Sequence, residues 1–461
     1  MKKLLAVASF VAISAALTAC GGNDTPQATQ PDTPPAATTE ATTGNDTGNN
    51  DANETNEVLE PVTVNFWHAM TGPHHDGLIN MIEAFHAEYP HITINEEFQG
   101  NYPALNQSLM GTFVSRTAPL LAQATTSSVT QYIDYDFILS LTNFFNEDFT
   151  QAEQNDIVHL DIRATYGNDI YSVPFGISTR ILFYNRDILD EFGLEPPTTW
   201  AEVRHIAEVT TTDNRLGMGW ENAFWSEFVA LLEQYGGVFV DEATAVAHFS
   251  SPEGEQALGF IYDLIDEGIS RTAGEDGFMS GVFGSGAVTM YIGSSAGLPH
   301  VEGAVDGSFN WGTAPTPGTG TANATLFAGN DVVMFNESIT GASQAEIDAA
   351  WAFLRFSLRP DVTAYWAADS GYTPARYSAM ELPFYVDFVA QNPTHRAATL
   401  QAPYGFYLAR VHGMSAVLNQ AVLEYFNESI TPLGVPSRMS VQDALANAEN
   451  RANEILADAN N

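Results

Sequence analysis

The sequence predicts an α/β protein of two lobes, each built on a parallel-rich sheet with helices on both faces. Three observations lead there. Strand and helix periodicities alternate along the chain. The body that follows a polar tether runs to roughly 400 residues, a length that suits two domains. No internal repeat interrupts the alternation.

The amino terminus is an export signal. Lys2 and Lys3 precede an apolar stretch from Leu4 to Leu17, which is too short to span a bilayer. The stretch ends in Leu17-Thr18-Ala19-Cys20, which resembles the lipobox of bacterial lipoproteins and implies a signal peptide over 1–20 with lipid on Cys20. That is the chain's only cysteine, so disulfides and thiolate metal clusters are excluded. Residues 21–60 are Asn, Asp, Thr, Pro, Ala and Gly with almost no large apolar side chain, a composition that cannot offset its ordering entropy and reads as a disordered tether. The expected location is extracytoplasmic, lipid-anchored to the cell membrane, and periplasm-facing where an outer membrane exists.

Charge narrows the partners. The chain holds 16 Lys and Arg against 56 Asp and Glu, a formal net charge of −40, which excludes nucleic acid as a partner. Both lysines lie in the signal, and every later basic residue is arginine. Arginine keeps its proton at pH values where lysine loses it, so an alkaline habitat and a lineage-wide composition bias both account for the pattern.

The elements follow in order. Val62, Val64 and Phe66 alternate as in a strand; Leu78, Met81, Ile82 and Phe85 recur at helical spacing; Ile92 to Phe98 is a second strand. Together they form a βαβ unit. Further on, Thr199 and Glu202 make a capping box, Ser251-Pro252 opens a helix stopped by Gly268, and Ser343 and Glu346 cap another. In that helix Trp351 shares a stripe with Ile347 and Leu354 and is assigned to the core. A last helix begins near Ser440. Parallel sheets of this kind bind ligands at strand ends.

Several blocks then resemble the extracellular solute-binding proteins of carbohydrate-type ABC importers. They include Phe66-Trp67-His68, Gly100-Asn101-Tyr102, the run Val173 to Thr179, Pro197 to Trp200, Gly286 to Met290 and Gly371 to Pro374. Within that family the chain is most similar to the subgroup binding sn-glycerol-3-phosphate and its diesters. The resemblance implies a periplasmic-binding-protein-like fold, two lobes with central mixed sheets joined by a three-segment hinge. It also implies a small-molecule solute as ligand (a polyol phosphate or sugar), permease subunits as partners, a monomer, no cofactor and no enzymatic activity.

Carried over position by position, the resemblance assigns ligand contact to Tyr102, Ser178, Ser294 or Ser295, Gly329, Tyr372 and Arg410. The family's acidic contact falls on Thr126, so a carboxylate is missing. Trp67 and His68 close the first strand, where pocket edge and packing are both open to Trp67. Trp220 and Trp225 lie in a stretch that resembles the subgroup's tryptophan-bearing wall, suited to sugar C–H contact or to cation–π attraction. Arg410 offers a planar fork for phosphate, with a structural salt bridge as its alternative; Tyr372 either touches ligand or only packs.

Two enzyme-like patterns are weak. Gly293-Ser294-Ser295-Ala296-Gly297 fits G-x-S-x-G, but no local signature supplies the acid and histidine of a hydrolase. His68, His74, His75 and Asp76 cluster without a metal-ligand spacing, and His74 and His75, beside Gly72-Pro73 at a loop-to-helix junction, read as solvated or capping histidines. The expected lobes are 61–173 with 326–371, and 178–316 with 376–458. Their hinge crossings fall near Val173 to Ser178, Ala314 to Ala328 and Gly371 to Arg376.

Overall fold

The computed structural model describes residues 60–414, 417–430 and 439–460. The expected signal peptide, Cys20 and the tether lie outside them. No helix among the described residues is long and apolar enough to cross a membrane.

The opening βαβ unit forms as its periodicity requires. Strand β1 (Val62–His68) runs parallel to β2 (Ile92–Phe98), joined by helix α1 (Pro73–Glu88), which buries Leu78, Met81, Ile82 and Phe85. Helix α2 (Tyr102–Ser115) leads to β3 (Leu121–Ala124), and α3 (Thr126–Asp134) follows it. The remaining strands of the main sheet are β4 (Val173–Asn185), β5 (Leu216–Trp220), β6 (Ser270–Thr272), β7 (Val288–Ser294), β8 (Trp311–Pro315), β9 (Thr325–Met334) and β10 (Gly405–Phe406). Their order is β6-β5-β7-β4-β9-β3-β1-β2, with β8 on β4 and β10 on β9. Parallel pairs lie at both ends, and the antiparallel pair β4 and β9 lies between them.

Packing divides the described chain into two lobes. In the first, Phe66, Phe85, Phe175, Phe353 and Trp366 anchor one core and Phe113, Tyr132 and Phe335 another. In the second, Trp220, Phe228 and Phe426 gather on one face of the sheet, and Phe183, Phe283 and Tyr291 on the other. β4 is long enough to serve both: Phe175 and Ile177 belong to the first lobe, Ile181 to Tyr184 to the second. One continuous sheet therefore replaces the separate sheets expected for the lobes.

The capping boxes form at Thr199 with Glu202 and at Ser343 with Glu346. Helix α4 (Trp225–Gln234) and helix α5 (Pro252–Asp266, capped by Ser251) cover one face of the second lobe, with helix α7 (Val441–Ala459) against them. Between these, helix α6 (Pro360–Ser370) belongs to the first lobe, and Ala379 and Tyr385 pack on its Ala364 and Ala367. The last crossing thus comes later than the expected Gly371 to Arg376. The chain reaches the second lobe near residue 394, where Thr313 Oγ1 donates to the Thr394 carbonyl at 2.7 Å.

Candidate binding cleft

A cavity of about 430 Å³ lies between the lobes. Tyr102, Asn106 and the hydroxyl run Thr125 to Ser128 wall it from the first lobe; Trp225 and Arg410 wall it from the second; Leu326 to Gly329 of β9 form its floor. Local chemistry builds each wall. The Asn101 side chain caps α2 by accepting from Ala104 N at 3.0 Å, which sets Tyr102 at the helix start beyond the end of β2. Thr125 likewise caps α3 after β3. Two helix N-termini at strand C-termini are the usual ligand-facing edge of an α/β sheet.

Gly329 is required where it stands. Its φ is +123°, and a Cβ there would lie 1.8 Å from the Gly176 carbonyl oxygen. Immediately after it the pairing of β9 with β4 shifts register, between Asn330 and Asp331. A buried ion pair braces this irregular crossing. Arg163 Nε bonds Asp331, while Nη1 and Nη2 donate to the Ala328 and Gly176 carbonyls at 3.1 Å each. Ser172 Oγ donates to the other Asp331 oxygen at 2.8 Å.

Beside it runs a chain of neutral hydrogen-bonded groups. Gln123 Oε1 accepts from Ala69 N at 2.9 Å, so its Nε2 donates to Asn330 Oδ1, also at 2.9 Å. Asn330 Nδ2 then donates to the Tyr372 hydroxyl at 3.2 Å, which is also hydrogen-bonded to Tyr102. Burial and the adjacent Tyr372 hold the Tyr102 phenol well above its usual range, so it stays protonated beside the cavity.

The expected site residues separate into three groups. Tyr102, Thr126, Trp225, Gly329 and Arg410 come together around the cavity. Ser178, Ser295 and Tyr372 are buried next to it, with Ser294 half-buried. Ser295 Oγ accepts from Thr179 N at 3.2 Å, and Ser294 Oγ accepts from Ala296 N at 3.2 Å. Ser295 is thus buried, and neither hydroxyl bonds a histidine among the described residues.

The third group lies away from the cavity. Trp220, expected on the wall, is fully buried among the second lobe's helices and donates its indole N–H to Ser270 Oγ at 3.1 Å. It alternates inward at the end of β5, whereas Trp225 starts the next helix at the cleft. Trp67 packs half-buried against the core containing Phe113. His68 is fully buried, and its Nδ1 accepts from Met70 N at 3.1 Å. The proton is therefore on Nε2, which bonds Glu96. His75 Nε2 approaches the same carboxylate at 3.3 Å, making His68, His75 and Glu96 a compact grouping. With its Nε2 lone pair taken by a proton, His68 is unsuited to hold a metal there.

Arg410 is already engaged. Its Nη1 bonds the Thr165 carbonyl and its guanidinium lies 5.2 Å from the Tyr166 ring centre, both in the first lobe. Glu242 accepts from its backbone N at 3.1 Å and approaches Nη2 at 3.6 Å. The serine hydroxyls at the start of α3 went unnoticed in the sequence. Thr125 Oγ1 lies 3.1 Å from Ser127 Oγ and 3.0 Å from Ser128 Oγ, and only the run of small hydroxylated residues hinted at them.

A mixed α/β sheet with a solute-sized cavity between two lobes defines the periplasmic-binding-protein-like class of receptor. A family model described as bacterial extracellular solute-binding protein matches residues 80–397. The chain belongs to that family, whose members act outside the cytoplasm as the substrate-binding proteins of ABC importers. It is 24% identical over 426 residues to the sn-glycerol-3-phosphate-binding periplasmic protein UgpB of Escherichia coli K12, covering 86% of this chain and 92% of the relative. Among solved structures, UgpB from Mycobacterium tuberculosis in complex with glycerophosphocholine superposes with a TM-score of 0.76 at 20% identity, covering 87% of this chain and 99% of that one. The cyclic α-maltosyl-1,6-maltose binding protein from Arthrobacter globiformis gives a TM-score of 0.72 at 25% identity, with coverages of 86% and 100%.

Proposed function

We propose that this protein captures a glycerophosphodiester, sn-glycerol-3-phosphate or a related polyol or sugar between its lobes and presents it to the permease subunits of an ABC importer. The observation that carries the reading is the shared cavity, walled by Tyr102 and Thr126 from one lobe and by Trp225 and Arg410 from the other. A ligand that touches both walls favours the closed arrangement, because only differential contact can shift that equilibrium. The moving parts are 61–173 with 326 to about 393, and 178–316 with the segment from about 394 onward, acting as a monomer held to the membrane by lipid on Cys20. The ligand classes come from the relatives: sn-glycerol-3-phosphate and glycerophosphocholine in the two UgpB proteins, a cyclic maltosyl sugar in the third.

Calorimetry with sn-glycerol-3-phosphate, glycerophosphocholine and maltotriose tests this. At least one is bound without being converted, and Arg410→Ala weakens phosphorylated ligands most. Binding of none overturns the reading of the cavity as the solute site, and equal loss for maltotriose overturns the phosphate role of Arg410. Fractionation checks the anchor: wild type is in the membrane fraction, and Cys20→Ser is released.

A further inference from the structure

The sheet face that floors the cavity continues into a polar patch containing an arginine that the resemblance did not point to. Side chains alternate along a strand, so Ser178 and Arg180 of β4 project from the same face. On that face Ser178 is paired with Ala328, a floor residue of the cavity, and Arg180 is paired with Ser294 at the end of β7. Two serines expected at the ligand thus flank one arginine.

The arginine is held but not exhausted. Its side chain is 14% exposed. Nε donates to Glu227 Oε1 at 2.6 Å and Nη2 to the Ile292 carbonyl at 3.3 Å, while Nη1 has no partner among the described residues. Glu227 follows Trp225 by two positions on α4, so the ion pair joins the sheet to the helix that carries the aromatic wall. Glu221, just past the end of β5, is close enough for Arg180 to act on its charge. Its Oε2 accepts from Met279 N at 3.1 Å, and its Oε1 has no partner among the described residues. Burial pushes both carboxyls up, and Arg180 opposes that push at each.

We propose that Arg180 is a ligand-contacting, specificity-determining residue of the cleft, donating from Nη1 to a hydroxyl or ether oxygen of an uncharged or zwitterionic polyol lying between Trp225 and Ser294. This rests on the cavity being the solute site. The ligand class follows from charge. One guanidinium faces two carboxyls, so the patch has no net positive charge to offer a phosphate monoester, and Arg410, which remains the cleft's phosphate donor, shares its charge with Glu242 and its Nη1 with the Thr165 carbonyl. A donor, Arg180 Nη1, near an acceptor, Glu221 Oε1, each without a partner among the described residues, matches vicinal hydroxyls, each of which both gives and accepts a hydrogen bond. A site built on such pairs discriminates strongly against ligands that leave its polar atoms unmatched.

The experiment compares four forms of the full chain by calorimetry: wild type, the double variant Arg180→Gln with Glu227→Gln, Arg180→Lys and Ser294→Ala. The double variant removes both charges, so neither is left buried alone. The probes are maltotriose, glycerophosphocholine and sn-glycerol-3-phosphate. Wild type binds maltotriose or glycerophosphocholine more tightly than sn-glycerol-3-phosphate. The double variant weakens that binding by about tenfold or more, the loss expected for a hydrogen bond from a charged donor, and narrows the selectivity ratio. Arg180→Lys and Ser294→Ala give smaller losses in the same direction and carry the test if the double variant fails to fold. Tightest binding of sn-glycerol-3-phosphate overturns the ligand class. Unchanged affinity and selectivity in folded variants reduce Arg180 to a structural ion pair. A wild type that binds no probe instead removes the solute-site reading itself, and this inference with it.

Discussion

The ring of His74 in the first lobe reaches across to the Ala296 carbonyl of the second, with Nε2 at 2.8 Å from the oxygen. His300, from the helix Leu298–Val305, meets the same ring edge-on at 5.2 Å. The loop that carries Ala296 also packs on Gly371, where an added Cβ would lie 3.0 Å from Pro299 Cδ. This seam ties the lobes together beside Tyr372, whose ring is 5.2 Å from His74.

Its histidines give a pH dependence of defined sign. Burial, and next the neighbouring His300, hold His74 below its ordinary value; burial alone lowers His300. The acidic residues of the packed elements, Asp76 on α1, Asp369 on α6 and Glu302, make no hydrogen bond to either ring among the described residues. The packed state therefore binds fewer protons than the separated one, so its stability is complete above the unperturbed histidine pKa of about 6.5 and declines as pH falls below it. Burial lowers His395 to about 4, which adds to the loss between those values. Thermal midpoints measured from pH 7.5 to 4.5 should fall for wild type and fall less for His74→Asn with His300→Asn; parallel curves would show that the seam does not titrate.

The two tryptophans of the 219–225 stretch should separate in function. Trp225 packs only partly buried at the edge of the core, so Trp225→Ala costs less stability than loss of Trp220 and weakens ligand binding, by about thirtyfold for an interfacial aromatic anchor. Trp220→Ala opens a cavity in the second lobe's core and costs about 3–5 kcal/mol of stability. Denaturant unfolding and calorimetry on both variants decide it, and the reverse pattern would contradict their placement.

Asp331→Ala strips the partner from an arginine that is 1% exposed. Removing one member of a buried pair costs about 3–5 kcal/mol because the other charge is left unpaired. Urea unfolding should register that loss; a change below about 1 kcal/mol would mean that water or backbone carbonyls satisfy Arg163 unaided.

Gly329→Ala combines a left-handed φ with a direct clash against the Gly176 carbonyl. The backbone strain alone costs about 1–3 kcal/mol, and relief requires the β4–β9 crossing to move. A drop in thermal midpoint accompanied by weaker ligand binding is the expected result, since the cavity floor shifts with the strand.

Much of this architecture was readable in advance, and the particulars show why. Strand and helix periods report which face of a segment is apolar, so the βαβ opening, the capping boxes at Thr199 and Ser343 and the core position of Trp351 all follow from local pattern. Of the family blocks, Gly100-Asn101-Tyr102 marked a wall of the cleft. Direction within a segment was harder to read. Trp220 and Trp225 lie five residues apart in one aromatic-rich stretch, yet one closes a strand inward and the other opens a helix at the cavity.

By itself, the sequence determined the class: an α/β extracellular solute-binding protein with an acidic body whose basic side chains, histidine aside, are all arginine. Only the tertiary structure decided which charges are available. Arg410 is drawn to Thr165 and Glu242, Arg163 is buried on Asp331, and Arg180, paired with Ser294, keeps a donor that has no partner among the described residues. Each pairing joins residues far apart in the chain, and local patterning carries no information about which carboxylate a distant fold will bring to a given guanidinium.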